Sequence, residues 1–300
     1  MTAGPLHYSD CIDSLASSQN PDGGWGFRSG ASSAVEATAW ALAALNLSPA
    51  GGDGARDLGR SWLLQAQRAD GGWPAIPSQP QACWITSLAA GVLQRQGGAK
   101  ESVERGLRWL LDAWPAEGTL WWRIRQAIFP AGEAGQNHSL RGWSWTAGTA
   151  SWVEPTAHAL IFLQSLPAQM LTSRAAQRMD LAEGMLFDRM CPGGGWNSGN
   201  PSIYGVPGVP RIGPTVWALL ALKNRAERAE VRRSLEWLEH AYGGIHGPAS
   251  LALAHLCLTA YGLPLPALGP ALGTLYARNH FFDNVITTAW AAAALRGETA

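Results

Sequence analysis

The chain has 300 residues, 47% of them hydrophobic and only 15% charged, and its 22 basic and 22 acidic side chains cancel. A chain this apolar buries enough surface to offset its ordering entropy, which excludes a disordered protein, and zero net charge lacks the basic face of a nucleic-acid binder. Its 16 Trp outnumber Phe and Tyr together and stand beside 35 Gly, an excess that needs a structural reason.

Met1 to His7 carry neither a basic stretch nor an apolar run, so no signal peptide is expected. No stretch approaches the roughly 18 uninterrupted apolar residues of a membrane span. Cys11, Cys83, Cys191 and Cys257 are too far apart for a close-set zinc or redox pair. They read as reduced, partly buried thiols of a cytoplasmic protein.

Taken in order, the chain repeats one pattern. An amphipathic segment, Cys11 to Gln19, precedes the turn Asp22-Gly-Gly-Trp25 and the apolar string Thr38-Ala-Trp-Ala-Leu-Ala-Ala-Leu45. Ser61 to Gln67, Asp70-Gly-Gly-Trp73 and the string from Thr86 to Leu93 repeat it. Leu107 to Leu111 with Thr156 to Leu163 make a third copy, and Gly193-Gly-Gly-Trp196 with Thr215 to Leu222 a fourth. Ser234 to Leu238 with Ser250 to Cys257, and finally Thr288 to Leu295, supply the last two. The amphipathic segments space their apolar residues as helices with one solvated face. The strings are apolar nearly all round, as in a helix buried on every side or lining an apolar cavity. Thr or Ser at the string's start suits a first turn, where a hydroxyl can serve an unpaired backbone N–H. Glycine serves the turns where φ is positive or backbones meet closely. One hairpin cannot bury its inner helix alone, whereas six in a closed ring can. The expected architecture is an all-α, (α/α)6 toroid in a single domain over 1–300, with hairpin units at about 8–47, 58–95, 102–166, 173–224, 230–262 and 266–297.

Gly59-Arg-Ser-Trp-Leu-Leu-Gln-Ala-Gln67 followed by Asp70-Gly-Gly-Trp73 resembles the QW repeat of squalene-hopene cyclases and related terpene cyclases. Leu15, Gln19, Gly24 and Trp25 form a second copy, and Gly106 to Leu110 (with Trp114 in place of the Gln) and Gly184, Phe187, Gly195 and Trp196 form degraded ones. The resemblance covers essentially the whole chain and extends to protein prenyltransferase β-subunits, which share the six-hairpin toroid. It implies that Gln ties helix ends while the turn Trp packs between hairpins.

Class II terpene cyclases use an Asp-x-Asp-Asp motif followed by Thr-Ala to protonate a double bond or epoxide, and this sequence has no Asp-x-Asp-Asp. Matching the Thr-Ala pair places Glu36 (in Ala34-Val-Glu-Ala-Thr-Ala39) and Glu154 (in Trp152-Val-Glu-Pro-Thr-Ala157) where the proton donor would stand, without the flanking carboxylates. Glu154 and His158 share a helix face, so a cationic His158 beside Glu154 would form a proton relay. The structural alternative is a Glu favoured by the helix dipole, with Pro155 in the first turn. Trp40, Trp217 and Trp290 occupy the register that His158 fills in the third unit; with Trp152 they are candidates to bind substrate and stabilise carbocations, against plain core packing. Asp283 is a third rim carboxylate or an N-cap.

The two longest inter-helix segments, Pro115 to Ser151 and Pro192 to Pro214, are expected to rim one mouth of the toroid. Trp121 and Trp122 suit a lid or peripheral contact with a membrane surface. Arg123 and Arg125 suit a diphosphate, and Tyr204 is a further candidate for substrate contact. The prenyltransferase zinc ligands are not reproduced: Gln81 stands where an Asp is needed in Gln81-Ala-Cys-Trp84, and His280 is only a rough match. No metal or cofactor is implied. Three readings stay open: an isoprenoid cyclase initiated by protonation in an apolar central cavity, a non-catalytic toroid that binds an apolar ligand or scaffolds a partner, and a prenyltransferase-like transferase.

Overall fold

The computed structural model describes residues 4–47, 53–119, 121, 122, 124, 128, 136–203, 205–263 and 265–296. Among them are twelve α-helices: α1 Tyr8–Ser17, α2 Val35–Leu45, α3 Asp53–Gln65, α4 Ile85–Gln96, α5 Lys100–Asp112, α6 Val153–Gln164, α7 Ser173–Asp188, α8 Ile212–Ala221, α9 Ala229–Tyr242, α10 Pro248–Ala260, α11 Leu268–Asn279 and α12 Val285–Arg296. A two-residue β-hairpin pairs Ser202–Ile203 with Val206–Pro207. The even-numbered helices pack each on the next, and α12 packs back on α2, so six inner helices close a ring. The odd-numbered helices lie outside it.

The two sets differ as their sequences require. In α4 every residue from Ile85 to Leu93 is buried. Helix α5 buries only Val103, Gly106, Leu107, Leu110 and Leu111, one stripe of an amphipathic helix. Closure removes the exposed end that an open row of hairpins would leave.

The Gly–Trp turns make the wall. The backbone N–H of Trp25, Trp73, Trp143 and Trp196 each donates to a threonine hydroxyl (Thr38, Thr86, Thr156 and Thr215), in every case at 2.9 Å. The same hydroxyl donates back to that tryptophan's carbonyl at 3.1–3.4 Å. The threonine therefore serves the preceding turn, where the sequence suggested it would serve its own helix. In α2, α6 and α8 it sits a turn inside the helix, where its own N–H already has a helical partner. The indole N–H of Trp25, Trp73 and Trp196 donates to a carbonyl ten residues back, on Leu15, Leu63 and Leu186. Gln19 donates to the carbonyls of Gly23 and Ala55, and Gln67 to those of Gly71 and Ser102, which ties each turn to the start of the next outer helix. Gly23 and Gly71 need to be glycine twice over: their φ values are 90° and 95°, and a side chain would meet the carbonyls of Leu58 and Arg105.

The start of an inner helix also bonds to the neighbouring turn. The N–H groups of Val35, Trp84, Val153 and Val285 donate to the carbonyls of Ala75, Trp145, Ser198 and Phe27 at 3.0–3.3 Å. Each acceptor stands two residues beyond a turn tryptophan. These bonds gather the turns, and with them the N-terminal ends of the inner helices, on one face of the ring. The two long segments meet there as well, through Gln136, which donates to Gly199 and Asn200.

Thr86→Val keeps the shape and deletes the hydroxyl, leaving the Trp73 N–H buried and unpaired. A loss of about 1–3 kcal/mol is expected in urea unfolding, with Thr86→Ser recovering most of it. A valine variant as stable as the parent would contradict this role.

Candidate functional site

Two carboxyl groups and a set of aromatic rings converge at the centre of the ring. Glu36 and Glu154 are the second residues of α2 and α6, so both lie on the turn-bearing face. Each is mostly withdrawn from solvent. Among the described residues neither has a hydrogen-bond donor or a cation beside it. Burial, and then the charge of Glu154, pushes the Glu36 carboxyl up to about 7. Burial also raises Glu154. The positive end of a helix dipole favours a carboxylate, but here desolvation and like charge outweigh it. Glu36 also adds to the upward push on the buried thiol of Cys83, which places these three groups in one neighbourhood.

One helical turn further in, His158 meets Trp217 with ring centroids 4.3 Å apart. Trp40 stands 5.3 Å from Trp217, 5.7 Å from Trp290 and 5.9 Å from His158. These rings come from α2, α6, α8 and α12 and meet across the bore as an aromatic diaphragm. Trp84 extends it, 5.1 Å from His158 and 5.0 Å from Trp145. Among the described residues the indole N–H groups of Trp40 and Trp290 have no hydrogen-bond partner, so ring contacts hold these side chains.

The expected relay between Glu154 and His158 is corrected by this geometry. His158 is buried among the rings, and burial pushes its pKa down to about 3. It is a neutral imidazole at physiological pH, it supplies no charge to lower Glu154, and no hydrogen bond joins the pair among the described residues. The N-cap role offered to Asp283 is corrected too: Asp283 is exposed, and Asn284 caps α12 by accepting from the Thr287 N–H at 2.8 Å. Residues 280–283 form a left-handed turn, with φ of 47–54°. Trp152 is half-buried just before α6, bridged to Trp143, and stands outside the diaphragm. Trp40, Trp217 and Trp290 do meet at one level of the bore. Arg123, Arg125 and Tyr204 lie outside the described residues. Trp121 is largely exposed, and Trp122 packs on His138.

On the turn-bearing face an open cleft of about 360 Å³ lies among loop residues that include Ala75, Gln79, Gln81, Cys83, Trp84 and Trp145, and neither Glu36 nor Glu154 lines it. Exposed Phe27, Ile76, Val206, Val209 and Phe282 stand on the loops of that face. On the other side a larger cavity of about 580 Å³ runs down the bore, with Trp40, His158, Trp217 and Trp290 at its head and Leu88, Phe162 and Leu253 along its wall. Glu36 and Glu154 lie outside its lining. Sequence reasoning missed Trp84, Trp145 and, at this cavity's rim, Arg95. The doublet Cys83-Trp84 beside the weak zinc match was the available signal for the first.

All four cysteines are unpaired and buried. Among the described residues no three His, Cys, Asp or Glu side chains gather as a metal-holding group, and no helix is long and apolar enough to cross a membrane.

No family model matches the chain. A curated relative, the drimenyl diphosphate synthase of Streptomyces showdoensis, is 28% identical over 261 residues, covering 74% of this chain and 48% of that protein. The chain thus spans about half the length of the curated relative it matches. Among solved structures, the type II terpene cyclase MstE from Scytonema aligns with a TM-score of 0.63 at 13% identity, covering 97% of this chain and 98% of that one. A protein from Actinoplanes aligns with a TM-score of 0.62 at 16% identity over 98% and 100% of the two chains. A variant of MstE in complex with geranylgeranyl dihydroxybenzoate aligns at 0.62 and 13% identity, over 97% of each chain. The fold is terpene-cyclase-like.

The Glu36 carboxyl makes stability pH-dependent. Its ordinary value is 4.5 and its folded value about 7, so between them the unfolded chain releases a proton that the folded chain keeps. Its contribution to stability falls as pH rises through that window, by about 3 kcal/mol once ionisation is complete. Glu36→Gln is expected to be more stable than the parent at about pH 8, by up to that amount, and to show no gain at about pH 4. Parallel stability–pH curves for the two proteins, from urea unfolding, would contradict the buried carboxyl.

Proposed function

We propose that this protein is an isoprenoid cyclase that starts its reaction by protonation, with Glu36 as the proton donor and Glu154 as the group that keeps it protonated. The observation that carries this reading is the pair of carboxyls mostly withdrawn from solvent, one raised to about 7, set one turn from a layer of π faces. A general acid must hold its proton at working pH, and the second carboxyl makes losing that proton costly. The developing carbocation would meet the rings of Trp40, Trp84 and His158, whose π faces attract a cation. Neutral His158 serves here as a ring and leaves the proton chemistry to the carboxyls. The turn-bearing face, with its cleft beside Trp84 and Trp145 and its apolar loop residues, would admit the hydrocarbon chain. The likeness to a drimenyl diphosphate synthase and to a cyclase variant in complex with geranylgeranyl dihydroxybenzoate supports a polyprenyl substrate. On this proposal the six hairpins work as one toroid domain and need neither metal nor cofactor.

A second reading, a non-catalytic toroid that holds an apolar ligand, is favoured by one observation: the diaphragm rings already touch across the bore. One experiment separates the two. Purified protein is incubated with squalene and a panel of polyprenyl diphosphates, and extracts are searched for cyclised products. The cyclase reading expects turnover that falls as pH rises past about 7, where Glu36 ionises. It expects at least a ~100-fold loss in Glu36→Gln and a smaller loss, with a shifted pH limb, in Glu154→Gln. No turnover across the panel would favour the ligand-binding toroid. Product formation indifferent to both substitutions would overturn the acid assignment alone.

A further inference from the structure

The residue two positions before each turn-binding threonine is held at one level of the ring by the same bond: Glu36, Trp84, Glu154 and, in α8, Gly213. Three of these helix starts present large side chains, and the fourth presents none. All four residues are half-exposed, so this level borders open space. Helices α6 and α8 are neighbours in the ring, which sets Gly213 beside Glu154.

The fold supplies no reason for this glycine. Gly213 lies in the first turn of α8 without a positive φ. Helical glycines in the wall do have a reason: a side chain at Gly59 or Gly106 would strike the ring of Trp25 or Trp73, at 2.5 and 2.9 Å. At Gly213 an added Cβ would have, among the described residues, only Oε1 of Glu154 within 4 Å, at an ordinary contact distance of 3.6 Å. Alanine is also the better helix former. The glycine leaves unfilled a space that a side chain could occupy without strain, and that space lies against a carboxyl.

We propose that Gly213 is a specificity-determining residue: the space it leaves beside Glu154 takes the methyl-branched alkene end of an isoprenoid chain. The inference rests on the cyclase reading for its chemistry and adds the residue that selects the chain end. A branched end is wider than a straight one, and it must lie at the carboxyl level to be protonated. One methyl group in a snug apolar site is worth about 10-fold or more in discrimination, so alanine, which adds one methyl, is enough to test it.

Two saturated alcohols read the space without any turnover, because neither has an alkene: hexahydrofarnesol and 1-dodecanol, which share a main-chain length and differ in methyl branches. In tryptophan fluorescence titrations Gly213→Ala is expected to weaken hexahydrofarnesol about 10-fold and to leave 1-dodecanol within about twofold. Gly213→Val should weaken the branched alcohol further. In urea unfolding Gly213→Ala is expected to be at least as stable as the parent. With a polyprenyl substrate its kcat/KM should fall by about 10-fold or more, while the pH limb near 7 stays in place. A parent that shows the branched-chain effect but no turnover would support the space at Gly213 and overturn the cyclase reading alone. A Gly213→Ala variant less stable than the parent, equal loss or no loss for the two alcohols, no binding of the branched alcohol to the parent, or unimpaired turnover in the variant would overturn the assignment of Gly213.

Discussion

Four times along the chain the backbone N–H of a turn tryptophan is held by a threonine hydroxyl from the following inner helix. This contact sets how an outer helix reverses into an inner one. The turn backbone is buried in the wall, where an unpaired N–H would be costly, and a small β-branched alcohol inside a helix supplies both an acceptor and a donor. The indole then anchors the turn to the end of the outer helix it leaves, and at the Trp25 and Trp73 turns a glutamine anchors it to the outer helix of the next unit. Because the turn is fixed, the N-terminus of each inner helix is fixed, and the second residue of α2 and of α6 comes to the same level of the ring. The carboxyl pair is a consequence of the wall.

The same construction explains the tryptophan excess. Trp25, Trp73, Trp143 and Trp196 are wall. Trp40, Trp84, Trp217 and Trp290 are bore, and with His158 they form the diaphragm. Burial raises the carboxyls of Glu36 and Glu154 and keeps the imidazole of His158 neutral.

Much of the fold was legible because its periodicities are strong. The all-round apolar strings at Thr38, Thr86, Thr156 and Thr215 could only be inner helices, and Asp-Gly-Gly-Trp could only be a turn. Trp143 was hidden because a long insertion separates it from its outer helix, so no fixed spacing marks it. Glu36 and Glu154 were legible as helix-start carboxyls, but the influence of one on the other was not, since α4 lies between α2 and α6 and only the assembled ring sets the two helix starts on one face. His158 was misread because an i, i+4 Glu–His pair implies a charge interaction on an isolated helix, and only the packed rings of three other helices show that the histidine stays neutral. A fold of this kind hosts more than one activity, and cyclisation by the proposed route depends on the protonation state of one side chain.

That state can be read directly by infrared difference spectroscopy of the carboxyl stretch across a pH titration. A protonated buried carboxylic acid should persist well above pH 5, titrate with a midpoint near the value of about 7 given by burial and Glu154, and vanish from the spectrum of Glu36→Gln. If every carboxyl in the parent is ionised by about pH 5.5, well above the usual carboxylate range, Glu36 is not a stored proton and the proposed chemistry fails.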